Sequence, residues 1–264
     1  MKLIDRVAVI TGGSRGLGKA IAKAYLTEGA TVIITARNPE RLRETEAELK
    51  PLGRIEGVPM DVSKFGAVQD AMARIIDRYG HVDILVNNAG IPSGSRGSGA
   101  SLYKQQAGPS TSGALLVDMT EEQFDRVIAV NLKGVFACAR AIAGHMTGRG
   151  YGRIINMSSV TAHNGSFGQT NYAATKAGII VMTQTWAKEL GNKGVTVNAV
   201  APGYTATEMI GHAPAEVIGA IEERTPLKRL GTPEEMAAAC VYLASDDGAF
   251  VNGAVLNIDG GIVL

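Results

Sequence analysis

Short runs of β-branched and apolar residues recur along the chain, each followed by a stretch whose apolar positions fall at helical spacing. Arg6 to Thr11 (RVAVIT), Thr31 to Ala36 (TVIITA), Ile55 to Met60 (IEGVPM), Val82 to Val86, Gly152 to Ser159 (GRIINMSS), Val195 to Ala201 (VTVNAVA) and Val255 to Ile258 read as strands. Between them, Leu17, Ile21 and Ala24 mark a first helix, and Pro39 to Lys50 and Ser63 to Tyr79 mark two more. A capping box at Thr120 to Gln123 opens a helix through FDRVIAVNLKGVFACARAIAGHM, and the segment NYAATKAGIIVMTQTWAKEL has the composition of another. Pro214 to Arg224 reads as a short helix, and a second capping box, Thr232 to Glu235 with proline at the first helical position, opens one ending near Ala244. Alternation of this kind predicts an α/β fold: a Rossmann-like, doubly wound parallel sheet, three-layer αβα, in a single domain.

Composition narrows the function. With 264 residues, 45% of them hydrophobic, the chain can bury a large core. A net charge of +1 with the signs interspersed argues against nucleic acid or an anionic membrane as partner. The amino terminus does not read as a secretion signal, and no uninterrupted apolar run reaches the ~18 residues of a membrane span, so a soluble, cytoplasmic protein is expected. Cys138 and Cys240 lie in separate apolar contexts and read as small buried hydrophobes. The four histidines are scattered, and no metal site is expected.

Candidate chemistry concentrates between Asn156 and Lys176. Tyr172 and Lys176 stand four residues apart in a helical segment, so both project from one face. At ~5 Å and an effective dielectric of ~20, an ammonium beside a phenol favours phenolate by about 3 kcal/mol, or about 2 pKa units, which predicts a lowered tyrosine pKa. Ser159 ends the preceding strand and can present its hydroxyl to the same space. Hydroxyl, phenol and ammonium together suit protonation of a carbonyl oxygen.

A second constellation points to a nucleotide. Gly12, Gly16 and Gly18, with Ser14, Arg15 and Leu17 in the same turn, form G-x-x-x-G-x-G between a strand and a helix, where glycines allow close backbone approach and the helix amino terminus receives a pyrophosphate. The second strand ends at Ala36-Arg37 where NAD enzymes usually carry an acid. Arg15 and Arg37 could therefore meet a 2′-phosphate with no carboxylate opposing it, which favours NADP(H).

These features, with Asn87-Asn88-Ala89-Gly90 after the fourth strand and Pro202-Gly203 followed by YTATEM after the sixth, resemble the classical short-chain dehydrogenase/reductase family over residues 5 to 260, and its β-ketoacyl-acyl carrier protein reductase-like members most. The spacing of 13 from Ser159 to Tyr172 and 41 from Asn131 to Tyr172 fits that family. The resemblance implies Tyr172 as proton donor, Lys176 as its activator and ribose ligand, Ser159 holding the carbonyl oxygen, and Asn131 disturbing its helix and anchoring a water behind Lys176. It also implies cofactor contacts from Asp61, Val62, Asn88, Ala89, Gly90, Pro202, Gly203, Thr205 and Thr207; Asp61 could equally cap the following helix.

The substrate implied is a small ketone or 3-oxoacyl thioester reduced with NADPH. A sugar, polyol or small-alcohol dehydrogenase, or an NADP-binding sensor without catalysis, are the alternatives on the same scaffold. Relatives that take acyl carrier protein present two basic residues. One falls on Lys193 and the other on Gly150, with Arg149 and Arg153 flanking the gap. The resemblance also implies a homotetramer paired through helices corresponding to 120–148 and 171–190 across one two-fold axis and through the carboxyl-terminal strand across another. Ile91 to Val117 departs from the pattern: its Gly- and Ser-rich sequence is an insertion at the rim of the expected site, read either as a mobile rim over substrate or as a surface loop without a role.

Overall fold

The computed structural model describes residues 1–94, 113–208, 210 and 213–262. In chain order the elements are β1 (Val7–Thr11), α1 (Gly16–Thr27), β2 (Thr31–Ala36), α2 (Pro39–Leu49), β3 (Ile55–Pro59), α3 (Phe65–Tyr79) and β4 (Ile84–Asn87). There follow α4 (Glu121–Ile128), α5 (Gly134–Arg149), β5 (Gly152–Met157), α6 (Thr161–Asn164), α7 (Thr170–Leu190), β6 (Val195–Pro202), α8 (Ala215–Arg224), α9 (Pro233–Ala244) and β7 (Val255–Ile258). The strands form one parallel sheet in the order β3-β2-β1-β4-β5-β6-β7. The doubly wound three-layer fold is thus as expected.

Side-chain alternation splits the core between the two faces of the sheet. Ala8 and Ile10 of β1, Ile34 of β2 and Met157 of β5 pack with α1 and α9 on one face. Val7 and Val9, Ile33 and Ile154 pack with α3 and α5 on the other. Each fully buried large aliphatic side chain contributes about 1.5–3 kcal/mol. Tyr25 is buried in the first cluster and donates its hydroxyl to the Cys240 carbonyl at 3.0 Å. Both cysteines are buried free thiols, as expected.

Chain order reverses between β1 and β4, and in sheets of this kind the crevice at the carboxyl ends of such neighbouring strands receives ligands. The glycine turn follows β1 and the Asn88 turn follows β4, so both line that crevice.

Local differences from the sequence expectation have simple causes. β4 begins at Ile84, two residues later than expected, just after Asp83, whose side chain accepts from the Val7 amide of β1. The third helix begins at Phe65 because Asp61 accepts from the Ser63 amide and hydroxyl at 3.0 and 2.7 Å, forming a turn one residue before the Lys64 helix cap. The capping boxes at Thr120 and Thr232 are both present. The region from Glu121 to Arg149 forms a continuous 29-residue rod that by length and composition would also pass for a membrane span. Its Val127, Ile142 and Met146 are buried in the protein, whereas Phe124 and Phe136 are exposed.

At the amino ends of the strands, Asp83 is 1% exposed and accepts from the Val7 amide at 3.0 Å and from Arg149 at 2.9 Å, with His81 at 3.3 Å. Arg153 is buried and stacks on the Tyr151 ring. Both arginines flanking Gly150 are therefore engaged in contacts within the fold. Asp83→Ala would leave the Val7 amide and a partly buried guanidinium unpaired, and a loss of about 3–5 kcal/mol in urea unfolding is expected. A change below 1 kcal/mol would show that the pair contributes no more than a surface ion pair.

Candidate active site

Three segments converge at the carboxyl end of β5. Ser159 lies two residues beyond the strand, and Tyr172 and Lys176 lie one turn apart near the start of α7. A buried chain of amides locks α7 to the sheet: Asn87 Nδ2 donates to Asn156 Oδ1 at 2.8 Å, and Asn156 Nδ2 donates to Thr183 Oγ1 at 2.9 Å. Ser158 adds a bond from its hydroxyl to the Lys176 carbonyl at 2.9 Å.

Lys176 is 5% exposed, and its Nζ donates to the Met157 carbonyl at 2.7 Å while standing 5.4 Å from the centre of the Tyr172 ring. Burial pulls the ammonium down to about 8. Burial also raises the Tyr172 pKa above its usual value; a hydrogen bond with Ser159 opposes this, and Tyr204 adds to it. The lowered tyrosine pKa expected from pairing with Lys176 is therefore corrected. Loss of hydration outweighs the Ser159 bond, and the phenol stands protonated at neutral pH.

Asn131 occupies a π-turn, Ala129–Lys133, between α4 and α5, so the expected disturbance of the helix is present. Its fully buried side chain accepts from the Ile91 amide at 2.8 Å and donates to the Ile91 carbonyl at 2.9 Å.

The glycine turn is built for close approach. Gly12 has φ +66°, and a Cβ on Gly18 would lie 2.4 Å from the Gly12 carbonyl oxygen. Asn88 braces the turn by donating Nδ2 to the Thr11 and Gly12 carbonyls at 2.9 and 3.2 Å. The amides of Asn88 and Ala89 both donate to the Thr11 hydroxyl at 3.0 Å, a role for Thr11 that the motif did not reveal. Arg15 at the α1 cap supplies no side-chain cap, and the first turn holds no acid, which leaves amide donors for an anion. Ser14 is tied to α2 through its carbonyl, which accepts from Thr45 at 3.0 Å, and Leu17 and Gly16 are half-buried beside it.

On the other side of the crevice, Pro202 ends β6 and the Gly203 amide donates to the Ile258 carbonyl at 2.9 Å. A Cβ on Gly203 would lie 2.7 Å from the Asp259 Cα. Thr205 is buried, and Thr207 approaches Gly16 across the crevice. Val62 is buried against Gly134, and Gly90 lies next to Asn131. Burial pushes the Asp61 carboxyl up, but the two Ser63 bonds and the Arg37 and Lys64 charges outweigh it and leave the group below its ordinary value.

Arg15 and Arg37 are both exposed at the crevice rim. Sequence reading missed Arg41, on the first turn of α2, and Glu208, whose carboxylate lies 3.7 Å from Arg15 and 3.8 Å from Arg41. The expectation that no acid stands among these arginines is thereby corrected. Contacts this far apart in sequence leave no periodic signal. These features fit a dinucleotide: glycines leave room for it, free helix amides face its pyrophosphate, and arginines stand at one end.

The family described as Enoyl-(Acyl carrier protein) reductase matches residues 12–263. The 3-oxoacyl-[acyl-carrier-protein] reductase FabG of Thermotoga maritima is 41% identical over the whole of both chains. The chain belongs to the classical short-chain dehydrogenase/reductase family. Acetoacetyl-CoA reductase of Rhizobium meliloti is likewise a member 41% identical to it, over 98% of each chain. The crystal structure of 3-oxoacyl-[acyl-carrier protein] reductase from Brucella melitensis superposes with a TM-score of 0.89 at 35% identity, covering 100% of this chain and 93% of that one. As a short-chain dehydrogenase/reductase, the protein is an oxidoreductase that uses NAD(P)(H) to interconvert a ketone and an alcohol.

Proposed function

We propose that the protein reduces a 3-oxoacyl thioester or a related β-keto compound to the secondary alcohol, with NADPH as the preferred cofactor. The observation that carries this reading is the convergence of a protonated Tyr172, Ser159 and the buried Lys176 beside the dinucleotide crevice. Support for the substrate class comes from the Thermotoga and Rhizobium relatives, which act on an oxoacyl carrier protein and acetoacetyl-CoA.

The nicotinamide supplies the hydride when bound. Gly12, Ser14, Gly16, Leu17 and Gly18 would hold the pyrophosphate side of the cofactor, Asp61, Val62, Asn88, Ala89 and Gly90 its adenosine, and Pro202, Gly203, Thr205 and Thr207 its carboxamide. Ser159 holds the substrate oxygen, and Tyr172 delivers its phenolic proton to that oxygen as negative charge develops there. Lys176 sets a positive field at the resulting phenolate. Asn131, fixed on the Ile91 backbone, would anchor the water that links Lys176 to solvent and through which the proton is replaced. Arg15, Arg37 and Arg41 would take the 2′-phosphate, with Glu208 yielding to the stronger anion.

The exposed Phe124 and Phe136, with Val181 of α7 also exposed, support a homotetramer paired through these helices. Carrier protein docking would rest on the exposed Lys193.

Ketone-dependent oxidation of NADPH tests the proton donor. Tyr172→Phe should lower kcat by roughly 10²–10⁴-fold while cofactor affinity holds; a near-normal rate would exclude it. For the cofactor, each charge-assisted hydrogen bond is worth about 1.5–3 kcal/mol, so kcat/KM should favour NADPH over NADH by at least about tenfold. Ala36→Asp with Arg37→Ile should reverse the order, and equal efficiency of the unaltered protein with both cofactors would overturn the assignment.

A further inference from the structure

The amino terminus of α7 has no side-chain cap at Gln169, yet the helix carries Tyr172 in its first turn. The donor that would be left open there is the Tyr172 amide, and it is taken by the adjacent side chain: Tyr172 N donates to Asn171 Oδ1 at 2.7 Å. Asn171 is fully buried. Its amide nitrogen donates to the Ser93 carbonyl and to the Gln123 carbonyl, both at 3.1 Å. Its oxygen also accepts from the Ser93 hydroxyl at 2.5 Å. Both amide hydrogens and the carbonyl oxygen of Asn171 are thus in use.

The partners come from separate parts of the chain. Gln123 belongs to the capping box of α4, and Ser93 stands just beyond the Asn88 turn, where the Gly- and Ser-rich insertion begins. The two roots of the insertion meet at this point. The Ser93 hydroxyl also reaches the Gly168 carbonyl at 3.1 Å, and the Ala114 amide donates to the same oxygen at 3.1 Å. A Cβ on Gly113 would fall 2.1 Å from that oxygen, and one on Gly94 would fall 3.1 Å from the Gly113 nitrogen. Residues 95–112, on which the reading of a rim over substrate rests, lie outside the described residues. Their roots are fastened to the loop and helix turn that carry Tyr172.

We propose that Asn171 is a positioning residue for the reaction: it holds the Tyr172 backbone in place and ties that position to the roots of the insertion and to α4. The inference rests on Tyr172 being the proton donor. A reacting group displaced by about 1 Å can cost about 10²-fold in rate. The bonds of Asn171 run to the Tyr172 amide, Ser93 and Gln123, so its loss should fall on the chemical step and leave cofactor affinity nearly unchanged.

The test uses the intact protein, with Asn171→Ala, Asn171→Asp, Ser93→Ala and the Asn171/Ser93 double alanine variant beside Tyr172→Phe. Asn171→Ala should lower kcat for ketone reduction by about 30-fold or more, with the dissociation constant for NADPH within about threefold. Asn171→Asp keeps the acceptor for the Tyr172 amide and loses the two donors, so it should fall between the alanine variant and the parent. With the Ser159 bond to the phenol weakened, the acid limb of alcohol oxidation by Asn171→Ala should move to higher pH. Ser93→Ala should cost less, about 3–10-fold, and the double variant should be little worse than Asn171→Ala, because both remove one network.

Unchanged kcat in Asn171→Ala would overturn the proposal, as would parallel losses of kcat and NADPH binding with an unmoved pH profile. Should Asn171→Ala not fold, full activity in Ser93→Ala and Asn171→Asp overturns it in the same way. An active Tyr172→Phe protein would remove the underlying reading instead. An inactive one beside a fully active Asn171→Ala would remove this inference alone.

Discussion

Lys176 holds an ammonium where only 5% of its surface meets solvent, and the carbonyl of Met157, at 2.7 Å, is its hydrogen-bond acceptor. A buried cation with no carboxylate partner among the described residues is costly, and its depression to about 8 reports that cost. The surrounding structure keeps it there. The carboxyl end of β5 must expose a carbonyl to α7, and α7 must lie close enough to receive it. Asn87, Asn156 and Thr183 cross the interface as one hydrogen-bonded chain, and Ser158 secures the Lys176 backbone. These polar side chains fix the register of helix on sheet more narrowly than aliphatic packing would.

Burial of the ammonium and of the neighbouring phenol has one electrostatic consequence. Loss of hydration penalises both charged forms, so the lysine falls and the tyrosine rises. For ketone reduction this arrangement is favourable, because the tyrosine must begin protonated. The lysine then acts at the moment the phenol gives up its proton, when a nearby positive field lowers the energy of the developing phenolate.

Much of this was legible in the sequence because it depends on local order. Strand alternation, the two capping boxes, the glycine turn and the four-residue spacing of Tyr172 and Lys176 are all signals within a few residues of one another. What the sequence left out needed either the surroundings or distant partners. The expected fall in the Tyr172 pKa counted the attraction of the ammonium and omitted desolvation. Arg41 and Glu208 meet Arg15 only after α2 and the loop beyond β6 close on the crevice. Thr11 read as the end of a strand, yet its hydroxyl takes two amides of the Asn88 turn. Asn171 stood beside the tyrosine with no signal, since its partners lie 78 and 48 residues away.

The site turns on the ionisation of Lys176, and NMR of protein labelled at the lysine Cε carbons measures it directly. With Lys176→Arg to assign the resonance, the cofactor-free protein should show Lys176 titrating at about 8, well below the ~10.4 of a solvated lysine. A midpoint at or above ~10.4 would contradict the account, because the ammonium would then be hydrated or paired with a charge and the site would not be the desolvated one described.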